Sequence, residues 1–163
     1  METTKSLDSS PKNAAVNLND IAQRKAGILI VDDERPFAIL MGRILRDAGH
    51  DVQIAHSAGE ASAKCAELMP SVVVTDLKLP DRSGIELMKE LKPRFPQLDF
   101  ILITAFATVE TAVQAMKEGA VDYLVKPLKD PGELKMAVDK VLERQQLLTA
   151  NKGWQKQLAE GLP

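Results

Sequence analysis

The chain has 163 residues, a formal net charge of −2 and a single cysteine, Cys65. That length accommodates one domain with a sizeable core and tails, the charge lacks the basic footprint of a nucleic-acid-binding domain, and one cysteine excludes an internal disulfide. No apolar run approaches a membrane span and the N-terminus has no signal-peptide pattern, so a cytoplasmic protein is expected, with Cys65 a small buried residue on a helix.

Residues 1–25 are polar, include Ser9-Ser10-Pro11, and read as a disordered tail. Val16, Leu18, Ile21 and Ala22 offer at most a weak amphipathic turn there. Residues 26–31 (AGILIV) form the first strand, closed by Asp32-Asp33-Glu34. Pro36 suits the first turn of a helix, and Phe37, Leu40, Met41, Ile44, Leu45 and Ala48 give that helix one apolar face. Gly49 ends it in a left-handed conformation. A second strand spans 52–55. A second helix spans 58–68, with Ala61, Cys65 and Leu68 inward.

The next stretch, Val72-Val73-Val74-Thr75-Asp76, is apolar on both faces and ends on a carboxylate. Its β-branched residues favour a strand buried in the middle of a parallel sheet. A loop, LKLPDRS, follows; Asp81 reads there as a turn residue. The third helix runs from Gly84 to about Phe95, with Ile85, Met88 and Leu91 on the core. A fourth strand, 100–103, ends at Thr104. The fourth helix, from about residue 108 to Gly119, puts Val109, Ala112, Val113 and Met116 on one face. The fifth strand, 121–125, contains Tyr123 and ends at Lys126-Pro127. The fifth helix starts near Pro131, with Leu134, Val138, Val141 and Leu142 on its apolar face. Strands alternating with helices through short loops argue for an α/β fold, a parallel sheet covered on both faces.

In such a sheet the carboxyl ends of all strands share one edge, where ligands bind. That edge carries Asp32, Asp33, Asp76, Thr104 and Lys126. If strands one and three are neighbours, three carboxylates meet in one crevice and repel one another unless a positive charge compensates. A hard divalent cation such as Mg2+ or a lysine across the crevice would do so. An acidic helix N-terminus, favourable for the helix dipole, accounts for Glu34 but not for the other acids. His50 and His56 are isolated and read as solvated.

These residues carry a resemblance. Asp32-Asp33 after AGILIV, Asp76 after VVVT, Thr104-Ala105 after ILI and Lys126-Pro127 after DYLV, in this order and spacing, are similar to the receiver domain of two-component response regulators. The resemblance covers residues 26 to about 145. It implies a flavodoxin-like (βα)5 sandwich with sheet order 2-1-3-4-5, which sets strands one and three side by side. It implies that Asp76 accepts a phosphoryl group from a sensor histidine kinase or phosphotransfer protein. It also implies that Mg2+ is held by Asp33, Asp76 and the backbone carbonyl of Lys78, with Asp32 acting through water. Lys126 would neutralise the phosphoryl oxygens and Thr104 would bond them. Tyr123 would rotate inward as Thr104 moves, and the Lys126–Pro127 bond would be cis. The chain would be a phosphoacceptor assisting its own phosphorylation and dephosphorylation, not an enzyme acting on other substrates. The loop positions two residues after Asp76 and after Thr104 are Lys78 and Phe106. Neither is suited to orient an attacking water, so a long-lived phosphorylated state is expected.

DLKLPDRSG and TAFATVETAVQAMKEGAVDYLVKP resemble receivers of enhancer-binding transcription activators in particular. Residues 146–163 read as a helical extension or linker, with Leu147, Asn151, Trp154 and Leu158 in a coiled-coil-like stripe that Gly153 weakens by roughly 1 kcal/mol. Dimerisation through this helix, or through helix four, strand five and helix five, would follow. No Walker A motif is present and about 36 residues follow Pro127, so the expectation is a stand-alone receiver or a fragment, binding neither nucleic acid nor membrane directly. Rival readings are a metal-dependent phosphohydrolase using an aspartyl phosphate, a flavodoxin-like nucleotide binder, and a degenerate receiver that only binds proteins. The first lacks a second acid two residues after Asp76, where Lys78 stands. The second lacks a glycine-rich loop after strand one. The third is disfavoured by the complete set of Asp33, Asp76, Thr104 and Lys126.

Overall fold

Valine-rich segments bounded by polar residues become the middle of the sheet. A computed structural model of the protein describes residues 27–161, with side chains described for 27–150. The expected tail at 1–25 and the outer part of the C-terminal stripe, from Asn151, lie outside these described side chains. The elements are β1 (Gly27–Val31), α1 (Arg35–Asp47), β2 (Asp51–Ala55), α2 (Ala58–Leu68), β3 (Val72–Thr75), α3 (Gly84–Leu91), β4 (Asp99–Thr104), α4 (Val109–Lys117), β5 (Asp122–Val125) and α5 (Pro131–Gly161). All strand pairs are parallel, in the order β2-β1-β3-β4-β5.

Side chains alternate across the strands, so each central strand feeds two cores. Leu29, Val31, Val73, Phe100 and Leu102 pack with α2, α3 and the ends of α4. Ile28, Ile30, Val72, Val74, Ile101 and Ile103 pack with Met41 and Leu45 of α1 and Leu134 and Val138 of α5. Each such buried side chain contributes about 1.5–3 kcal/mol. That double burial explains why β1, β3 and β4 read as continuous apolar runs rather than alternating ones.

Helix ends follow local chemistry. Ser57 accepts a hydrogen bond from the Glu60 N–H, and Ser83 with Glu86 and Thr108 with Thr111 form reciprocal capping boxes. Gly49, at φ 98°, follows the α1 C-cap in the left-handed region that glycine enters without strain.

Several expectations are corrected by packing. Leu68, expected inward, is exposed in the last turn of α2, and Leu40, expected on the apolar face of α1, is exposed while Ala38 is buried there. The α3 helix stops at Leu91, with turns to Phe95. On α4 only Ala115 is fully buried; Val109, Val113 and Met116 share a face, but it points to solvent, Val109 being 81% exposed. His50 is buried, not solvated, its Nδ1 lacking a hydrogen-bond partner and its Nε2 3.9 Å from Asp139. Burial lowers its pKa, the Asp139 carboxylate opposing and Lys135 reinforcing that shift.

Burial pushes the Cys65 thiol up to about 11 from an ordinary 9.0, so at pH 8 the native chain should carry about a hundredfold less thiolate than an unhindered cysteine. Alkylation by iodoacetamide is expected to be slow in the native protein and fast in denaturant; equal rates would contradict this placement. Gly84 is buried, and a Cβ there would collide with the carbonyl oxygen of Asp76. Gly84→Ala is expected to cost about 1–3 kcal/mol in urea unfolding, and an unchanged midpoint would show that the loop relaxes freely.

Candidate functional site

The register of β1 against β3 pairs Val31 with Thr75, so Asp32 and Asp76 leave adjacent strands at the same level. The Asp32 N–H donates to Ala55 O and the Asp76 N–H to Val31 O, extending the sheet pattern one residue past each strand. Both side chains are almost fully buried, whereas Asp33 points to solvent. On the other side, β4 pairs Thr104 with Val125, and the Lys126 N–H donates to Thr104 O at 3.0 Å. The edge therefore collects all five sequence-predicted residues from four successive strand ends.

Lys126 is the hub. Its Nζ lies 2.8 Å from Asp32 Oδ2, 2.8 Å from Asp76 Oδ2 and 2.6 Å from Glu34 Oε1, and 4.4 Å from the centre of the Phe37 ring. Burial alone would lower its pKa; close contact with the carboxylates of Asp32, Asp76 and Glu34 outweighs that and holds the ammonium well above its ordinary value. Burial raises the Asp32 pKa, and contact with Lys126 and the Glu34 N–H on Oδ1 offsets part of the rise. The cleft thus holds a fixed cation among carboxylates.

Lysine contacts leave one demand open. Asp32 Oδ2 is wholly buried and, although close to Lys126, has no aligned hydrogen bond. One oxygen from each of Asp32, Asp33 and Asp76 lies within 4.8 Å of the others, a grouping that a hard cation with ligands at about 2.1 Å could draw together. All the side-chain donors are oxygens, as Mg2+ prefers. The residues fit a divalent cation.

The loops complete the cleft. Lys78 is held beside Asp76 by its N–H, 3.2 Å from Asp76 Oδ1. The Lys78 ammonium sits 4.1 Å over the ring of Phe106, a cation–π contact between the loops after β3 and β4. Thr104 is buried, and its Oγ1 accepts from the Phe106 N–H at 3.1 Å. Tyr123 is half-buried, its hydroxyl 2.7 Å from Thr111 Oγ1 on α4. The Lys126–Pro127 peptide is cis.

Some functional neighbours escaped the sequence reading. Glu34 stands at the N-cap of α1 but makes no side-chain cap there; its carboxylate goes to Lys126, 92 residues along the chain, a pairing no local pattern announces. Asp81 does more than shape a turn. Its two oxygens accept from the N–H groups of Ala58 and Gly59, tying the loop after β3 to the N-terminus of α2. His56, expected to be solvated, is half-buried with Nδ1 2.9 Å from Asp32 O. Thr111 could have been suspected from the capping pattern Thr108-x-x-Thr111, but not its bond to Tyr123.

The comparisons agree with this geometry. Residues 28–139 match the family described as response regulator receiver domain. The transcriptional regulatory protein ZraR of Salmonella typhimurium is 38% identical over 118 residues, which are 72% of this chain and 26% of that protein. The chain thus spans about a quarter of the length of the curated relatives it matches. Among solved structures, a CheY-like receiver domain protein from Methanospirillum hungatei superposes with a TM-score of 0.71 at 33% identity, over 74% of this chain and 96% of that one. NtrX from Brucella abortus, solved in complex with ADP, gives 0.76 at 32% identity, over 83% of this chain and 30% of that one. With the sheet order, the acidic crevice and Lys126 in place, the match over most of its length assigns this chain to the response regulator receiver domain family of two-component systems.

Proposed function

We propose that this chain is a phosphorylation-activated switch that accepts a phosphoryl group on Asp76 from a histidine kinase or phosphotransfer protein. The observation that carries the reading is the Asp76 carboxylate held at 2.8 Å from a buried lysine, with Asp32 and Asp33 beside it. In the transfer, an Asp76 oxygen forms a bond to phosphorus. The phosphorus bond to the donor, a phosphohistidine nitrogen or an acyl oxygen, breaks and its electron pair stays with the donor. An ionised carboxylate needs no general base for this step. Catalysis reduces to in-line positioning and charge neutralisation.

Asp33, Asp76 and the Lys78 carbonyl would hold Mg2+, with Asp32 acting through water; the ion supplies positive charge to the phosphoryl oxygens. Lys126 supplies the second positive charge from the opposite side. Thr104 turns its hydroxyl towards the acyl phosphate, giving up its contact with the Phe106 N–H. That draws on the loop before α4 and lets Tyr123 leave Thr111 and turn inward. The chain assists its own phosphorylation and dephosphorylation and turns over no separate substrate.

The output surface is α4, β5 and α5, where Val109, Val113, Met116 and Val125 are exposed. Homodimerisation there or through the long α5 would carry the signal onward, and an output in transcription regulation fits the relatives named as transcriptional regulatory proteins. The resemblance to enhancer-binding activators points the same way.

Incubation with acetyl phosphate and Mg2+ should add one phosphoryl mass to the intact chain. The gain should vanish in Asp76→Asn and on chelation of the metal. An unmodified wild-type chain would refute the acceptor role, and rapid turnover of assorted phosphomonoesters would favour a hydrolase. The Lys78–Phe106 contact joins the two loops that flank Asp76, and on the reading that it shields the acyl phosphate from water the phosphoryl group on the purified protein should persist for minutes or longer and be lost faster in Phe106→Ala. Decay within seconds in the wild type would contradict that shielding.

A further inference from the structure

Glu34 is the carboxylate around Lys126 that neither the acceptor step nor the metal uses. It approaches from solvent, its side chain 62% exposed against 6% for Lys126, yet it makes the shortest of the three contacts, 2.6 Å. An ammonium has three N–H groups, and here three carboxylates converge on it. Glu34 and Asp76 receive hydrogen bonds, while Asp32 Oδ2, equally near, has none aligned. Three carboxylates are thus in reach of the three N–H groups of Lys126, so a further acceptor must displace one of them.

A phosphoryl group on Asp76 brings additional oxygens that need the same ammonium. Asp76 itself becomes the acyl phosphate, and Asp32 is locked in the interior by the Glu34 N–H and the sheet. Glu34 alone can be given back to water at small cost, because an exposed carboxylate is readily solvated. We propose that Glu34 is a displaceable counter-anion: it occupies the solvent side of Lys126 in the unphosphorylated chain and slows phosphoryl acceptance until the incoming group replaces it. This rests on the acceptor role of Asp76 set out above. Glu34 makes and breaks no covalent bond, so it is a positioning residue acting through Lys126.

Two effects of Glu34 can be separated. Repulsion of an anionic donor requires only its charge; competition for Lys126 also requires its reach. The rate of mass gain with acetyl phosphate and Mg2+ would be compared in wild type, Glu34→Gln and Glu34→Asp, with circular dichroism to confirm that each is folded. Glu34→Gln should be phosphorylated about two- to five-fold faster, the range that loss of one partly exposed ion pair allows. Glu34→Asp keeps the charge but is one methylene shorter, and should be accelerated as well. Acceleration in Glu34→Gln alone would overturn displacement in favour of a simple field effect. Unchanged or slower rates in both variants would overturn the proposal outright. A wild-type chain that gains no phosphoryl group would instead bring down the acceptor role itself, and this inference with it.

Discussion

The ammonium of Lys126 is what allows the rest of the site to exist. Asp32 and Asp76 are buried at one sheet edge, and two carboxylates that close in a low-dielectric setting would repel each other without a cation between them. Lys126 reaches both at 2.8 Å. It can do so because β5 pairs with β4 in a register that brings its last residue level with Thr104. The ion contacts are short, but they do not satisfy every lone pair. The buried Asp32 Oδ2 keeps a demand that a hard cation beside Asp33 would meet.

Rigidity and mobility are divided between strands and loops. Asp76 stands at the end of a strand packed on both faces, and the Gly84 backbone lies close against its carbonyl. Asp81 ties the same loop to α2. By contrast, the loop after β4 carries the exposed Phe106, whose N–H bonds Thr104 Oγ1. The next helix, α4, buries little of its apolar surface. A segment with few buried contacts opens at low cost. Movement of Thr104 would therefore propagate into α4 and the Thr111–Tyr123 pair rather than into β3.

Much of this was legible from composition and spacing, because the signals were local. Continuous apolar runs marked β1, β3 and β4, and Gly49 marked the end of α1. Residues at strand ends were named correctly as neighbours because a parallel sheet brings all its carboxyl ends to one edge, whatever the loops contain. The failures share a cause. Spacing puts Leu68 inward and sets Leu40 and the α4 stripe on apolar faces, yet periodicity shows only that apolar residues share a face, not that another element covers it. His50 was assigned to solvent because it lacks ligand-like neighbours in the chain, and it was buried by packing from elsewhere.

By itself, then, the sequence determined the alternation of strands and helices and the chemistry at four strand ends: an acidic pair, a further carboxylate, a hydroxyl and a lysine. These follow from side-chain periodicity and backbone preference, which act over a few residues. Only the tertiary structure decided how those groups pair. Glu34 reaches Lys126 across 92 residues, Asp81 caps a helix 22 and 23 residues before it, and Lys78 stacks on Phe106 across the cleft. Such contacts depend on strand order and register, and those are set by the two apolar cores on either side of the sheet rather than by any stretch of the chain alone.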